Sequence, residues 1–130
     1  MTIVVGYTPT PTGRAAVSAA TTEARRSGRP LVVVNTSQGD ALDHPAFAHP
    51  ADLGWGCTTL EEADVTFTIR QKVRGRDTAD ELIGVLEEVG AEFCVIGIRR
   101  RSAAGKMMLG SNAHRFLMDA PCPVLTVRAA

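Results

Sequence analysis

Short β-branched runs alternate with amphipathic stretches along this chain. Ile3-Val4-Val5-Gly6-Tyr7, Leu31-Val32-Val33-Val34-Asn35 and Phe93-Cys94-Val95-Ile96-Gly97 are almost continuously apolar, the pattern of strands covered on both faces. Val65-Thr66-Phe67-Thr68-Ile69 instead alternates apolar and polar residues, which predicts an edge strand with one face less deeply covered. Val124-Leu125-Thr126-Val127 supplies a fifth strand. After the first strand, Thr8-Pro9-Thr10-Pro11 predicts a loop, because two prolines forbid a continuing ladder.

Helical spacing fills the intervals. From Gly13 to Ser27, Val17, Ala20 and Ala24 repeat on one face, and Gly28 follows as a C-terminal cap. Thr58 to Ala63 predicts a short helix after a Pro-, Gly-, His- and Asp-rich loop at 40–56. A further helix starts after Asp77, carries Asp80 and Glu81 in its first turn where the dipole favours acids, and ends at Gly90. Its inward face is Leu82, Val85, Leu86 and Val89. The last helix runs from Ser111 to Ala120 with Ala113, Phe116 and Leu117 inward. Strand and helix alternate throughout, so the expected architecture is one α/β domain over residues 1–130. It is doubly wound, a parallel sheet with right-handed crossovers and helices on both faces. Ligands of such sheets bind beyond the carboxyl ends of the strands, where strand order reverses. That directs attention to the loops after Tyr7, Val34 and Gly97.

Composition narrows the picture. A chain of 130 residues buries about two-thirds of its unfolded surface, enough for a core without disulfides. Fourteen basic side chains balance fourteen acidic ones, which argues against a nucleic-acid partner recognised by overall charge. Cys57, Cys94 and Cys122 are odd in number and form no CxxC, so neither a disulfide framework nor a zinc site is expected. With no long apolar run and no basic leader, the chain is expected in the cytoplasm, away from membranes.

Against this neutral background, Gly97 to Leu117 stands out. Arg99, Arg100, Arg101 and Lys106 fall between two glycines with no acid among them, and Gly110-Ser111 opens the final helix. The first N–H groups of a helix lack internal partners and carry partial positive charge, and Gly110 would let an anion approach without a Cβ in the way. Ser111 adds a hydroxyl donor. Each part also has a plainer reading, since serine is a common N-cap and a basic loop is commonly a solvated one.

Gly97, Gly105-Lys106, Leu109-Gly110-Ser111-Asn112 and Ala120-Pro121-Cys122-Pro123-Val124-Leu125 together resemble the C-terminal signature of the universal stress protein family. The family pattern is Gly, two residues, Gly, nine residues, Gly, then Ser or Thr, and here Gly97, Gly110 and Ser111 match while Arg100 replaces the second glycine. The resemblance implies a five-stranded parallel sheet in the order 3-2-1-4-5 with about four helices, and a homodimer joined through the last strand. It also implies, for some members, ATP with magnesium in the crevice between the first and fourth strands. Carried over, Gly97, Gly110, Ser111 and Asn112 would hold phosphates with help from Arg99 and Arg100. Thr8 would face the ribose, and backbone at Val34 would meet adenine. Thr8 stands where ATP-binding members have an acid able to accept from both ribose hydroxyls. Arg100 would cost about 1–2 kcal/mol if its position requires φ > 0, although its guanidinium could grip a phosphate.

Other constellations are weaker. His44 and His49 with Asp40, Asp43 and Asp52 match no structural zinc spacing, and no nucleophile, base and orienting group recur together. The resulting expectation is a nucleotide-dependent stress-response regulator. The alternatives are a dimeric interaction protein of the same fold, with its pocket empty or holding another anion, and a slow phosphohydrolase.

Overall fold

The structure, a computed structural model, describes residues 2–7, 11–35, 60–71, 78–98 and 111–128. Strand β1 (Thr2–Tyr7) leads to helix α1 (Pro11–Ser27), then β2 (Leu31–Asn35). A short helical segment, α2, follows at residues 60–62. Then come β3 (Phe67–Gln71), α3 (Thr78–Val89), β4 (Ala91–Ile98), α4 (Ser111–Asp119) and β5 (Val124–Arg128). All four strand pairings are parallel, and the sheet order is β3-β2-β1-β4-β5, as expected.

Strand alternation builds two cores on opposite faces of one sheet. Ile3, Val5 and Tyr7 of β1, Leu31 and Val33 of β2 and Val95 of β4 face α1 and α2, where they meet Ala16, Val17, Ala20, Ala24 and Leu60. The alternate residues Val4, Val32, Val34, Cys94 and Ile96 face α3 and α4, meeting Leu82, Val85, Leu86 and Phe116. Alanines at i, i+4 and i+8 of α1 let that helix lie close on the sheet. The buried Thr21 hydroxyl donates 2.7 Å to the Val17 carbonyl and so leaves no orphaned donor.

Helices α1 and α3 end where glycine allows it. Gly28 has φ +72° and Gly90 has φ +61°, the left-handed conformation that closes a helix at little cost to glycine. The Gly28 and Arg29 amides both donate to Ala24 O, at 2.8 and 3.1 Å.

Of the boundaries that differ from the sequence reading, two have a specific local cause. Helix α1 begins at Pro11 instead of Gly13; proline is suited to the first helical position, where its fixed φ fits and its missing N–H has no partner to lose. Strand β3 covers Phe67–Gln71 instead of residues 65–69. Asp64 turns with φ 58°, and Val65 donates its amide to Leu60 O at 3.3 Å, so Val65 is buried as a continuation of the α2 turn. Placement at the sheet edge is as expected, with Thr68 and Arg70 exposed between partly buried Phe67 and Ile69.

Candidate functional site

The middle of the sheet opens at its carboxyl end. The β1–β2 ladder runs to Tyr7 and Asn35 and the β4–β5 ladder to Ile98 and Arg128, but among the described residues the β1–β4 ladder stops at Val5 and Val95. Here the chain leaves β1 for a helix on one face and β4 for a helix on the other. This reversal of strand order creates the crevice where doubly wound sheets take ligands.

Its floor on the α1 side is polar yet closed. Tyr7 and Asn35 are paired in register and each is only 1% exposed, with further interactions to their neighbours. They are the polar ends of otherwise apolar strands, and that change of character was the available sequence signal for them. Gly97 lies on β4 one residue before its end. The first turn of α1 covers it so closely that a Cβ on Gly97 would overlap the Thr12 carbonyl oxygen and stand 2.5 Å from Thr12 Cγ2. Thr12 carried no sequence signal, because its importance comes only from what it lies against.

On the opposite face, α4 starts at Ser111 with no acid in its first turn, whereas α3 has Asp80 and Glu81 in its own. His114 and Arg115 are exposed near the α4 start, the end at which a helix dipole favours anions. The Arg115 guanidinium Nη2 donates to Asp80 Oδ1, tying the first turn of α3 to the second turn of α4.

Among the expected site residues, Gly97 and Ser111 are placed at β4 and at the start of α4, with Asn112 second in that helix. Val34 is 1% exposed, its side chain in the core against α3, which leaves only backbone for a ligand. Thr8, Arg99, Arg100 and Gly110 lie outside the described residues, as do His44 and His49.

The sequence profile of the universal stress protein family matches residues 1–128. The chain belongs to the universal stress protein family. It is 43% identical over 126 residues to a universal stress protein of Mycolicibacterium smegmatis, covering 97% of this chain and 96% of the relative. A universal stress protein of Archaeoglobus fulgidus superposes with a TM-score of 0.79 at 29% identity, covering 97% of each chain. The structure of the Archaeoglobus fulgidus universal stress protein in complex with dAMP gives a TM-score of 0.74 at 25% identity, covering 97% of this chain and 96% of that one.

In this universal stress protein the described cysteines take no part in the crevice. Burial, and secondarily the neighbouring Cys122, push the Cys94 thiol far above its usual range, and burial also raises Cys122. Both are therefore poor nucleophiles at neutral pH. Among the described residues no group of three His, Cys, Asp or Glu side chains is placed to hold a metal, and no helix is long and apolar enough to cross a membrane.

Proposed function

We propose that this universal stress protein binds an adenine nucleotide across the carboxyl ends of β1 and β4 and acts as a nucleotide-dependent regulator, without fast hydrolysis. The observation that carries the reading is the parting of the β1–β4 ladder after Val5 and Val95 beside the start of α4. Phosphates would sit at Gly110, Ser111 and Asn112, at the start of a helix whose first amides lack internal partners. Arg99 and Arg100 would add charge-assisted hydrogen bonds. The ribose would lie by Thr8, with adenine against backbone near Val34. The absence of acid from the first turn of α4 leaves the dipole to be complemented by a ligand. The dAMP complex of the Archaeoglobus fulgidus relative supports an adenine nucleotide, and the run of basic residues favours ATP, with magnesium, over a monophosphate.

A homodimer through β5 accompanies this reading. β5 ends the sheet and presents Leu125, 44% exposed, beside exposed Thr126. An open groove of about 500 Å³ lined by Glu23, Phe93, Pro123, Val124 and Leu125 runs along its start. Free strand edges in stable proteins are normally covered or paired. The same edge supports the second reading, a dimeric interaction protein with its crevice unused.

Mass spectrometry of small molecules released on denaturing the purified protein tests the nucleotide reading. Adenine nucleotide recovered near stoichiometry supports it; release of a different anion in that amount replaces it with the second reading.

A further inference from the structure

Hydrogen bonding to β4 fixes which backbone groups of the last strand face outward. The Cys94 amide donates 3.0 Å to the Pro123 carbonyl, and the parallel ladder then runs without a register shift from Cys94 beside Val124 to Ile98 beside Arg128. Along a paired strand, alternate residues turn both backbone groups to the same side. Leu125 and Val127 therefore follow Pro123 and turn theirs to β4. Val124, Thr126 and Arg128 direct their N–H and C=O groups to the other side, where the sheet ends. Side chains alternate between the sheet faces. Val127 packs on the α1 side and Val124 on the α3 side, so Leu125 shares the α1 face with Val127, and Thr126 shares the opposite face with Val124.

This arrangement is symmetric about Thr126. We propose that a second copy of the chain pairs antiparallel with β5 in the register that places Thr126 on the two-fold axis, with Leu125 opposite the partner's Val127. The proposal rests on the homodimer reading above and specifies its interface. In this register every outward-facing residue of β5 meets an outward-facing one, Val124 across from the partner's Arg128 and Thr126 across from the partner's Thr126, and all five strand residues are paired. Leu125, 44% exposed, gains an apolar neighbour at a position where cross-strand side chains come closest. Sliding the copy by one residue would set outward-facing backbone groups against inward-facing ones. Sliding it by two restores the match but leaves strand residues unpaired, and brings either Leu125 or Val127 opposite itself. The slide that pairs Val127 with itself also draws two Arg128 charges toward each other. A whole domain suits the edge better than a lone peptide strand. Met118, the other large apolar side chain exposed among the described residues, is 74% exposed on α4, which packs in the same core as Val124. It stands a layer outside the sheet, where a single added strand does not reach and the α4 of a second copy does.

The test is an isotope-filtered NOE measurement on dimers formed from an equal mixture of labelled and unlabelled protein. Directly opposite residues of a wide-spaced antiparallel pair have Cα atoms about 4.5 Å apart, so a contact between Leu125 Hα of one chain and Val127 Hα of the other is expected. An interchain contact of Leu125 with Leu125, or of Val127 with Val127, overturns the register, as does a dimer with no interchain contact from β5. Thr126→Pro removes an outward-facing N–H and leaves the bonds to β4 in place. It should raise the dimer dissociation constant at least about tenfold in a chain that circular dichroism shows to be folded. Unchanged dissociation in the folded variant overturns the proposal; should the variant fail to fold, the NOE on wild type decides. A wild-type chain that sediments as a monomer at every concentration overturns the homodimer reading and this inference with it, whereas a dimer in another register overturns the inference alone.

Discussion

Three glycines with equally open surroundings should respond to alanine in opposite directions. Nothing lies within 4 Å of an ideal Cβ at Gly84, Gly28 or Gly90, so sterics beyond the residue itself are absent from all three. Gly84 is exposed and sits inside α3 with no left-handed φ. Alanine there reduces the freedom of the unfolded chain and improves helix propensity, a gain of about 0.5–1 kcal/mol. Unfolding entropy for a chain of 130 residues is about 0.27 kcal/mol/K. Gly84→Ala should therefore raise Tm by about 2–4 °C. Gly28 and Gly90 hold φ +72° and +61°, where a Cβ costs about 1–2 kcal/mol, so Gly28→Ala and Gly90→Ala should each lower Tm by about 4–7 °C. Calorimetric melts of the four proteins at one pH, without ligand, provide the comparison. A fall in Tm for Gly84→Ala, or a rise for either helix-ending glycine, would refute the reasoning, because both signs come from backbone conformation alone.

Three more outcomes are expected. Thr8→Asp should restore an ionised acceptor for the ribose and tighten ATP about tenfold while leaving tripolyphosphate unimproved; equal weakening of both ligands in calorimetry would remove Thr8 from the ribose. Sedimentation should show a dimer at micromolar protein that Leu125→Lys shifts toward monomer, whereas a wild-type monomer at every concentration would contradict pairing through β5. Cys94 has a raised pKa in the fold, so above about pH 8.5 the unfolded thiol loses its proton while the folded one keeps it. Fewer protons on the unfolded state mean that stability falls as pH rises, by at most about 1.4 kcal/mol per unit from this group. Denaturant melts between pH 8 and 10 should show a shallower decline for Cys94→Ala, and identical slopes would count against the burial argument.

The central strands were legible because burial on both faces leaves near-continuous apolar runs, and the sheet order followed from the resemblance of the 97–125 region to a family of known topology. Strand β3 was misplaced by two residues for a specific reason. Val65, Phe67 and Ile69 all pack in the same core, so the apolar period continues unbroken across the turn at Asp64 and cannot mark where pairing begins. The start of α1 was set late because a proline reads as loop until its position as first helical residue is known. In the crevice, Gly97 stood out through the family pattern, but what crowds it is Thr12 on another element, a relation that neither periodicity nor spacing encodes. Tyr7 and Asn35 were visible as polar strand ends, yet their pairing side by side depends on strand register. Thr8, Arg99, Arg100 and Gly110 lie outside the described residues, and their roles rest on the family pattern.

Titration of ATP with magnesium into the ligand-free wild-type protein tests the central claim most directly. The account predicts saturable heat with one site per chain, weaker binding of AMP and weaker still of adenosine, since in the proposed site the phosphates would meet the start of α4 and the nucleoside the ends of β1 and β2. No heat from any of the three at millimolar concentration, with the protein folded and its crevice free of other ligand, would contradict it.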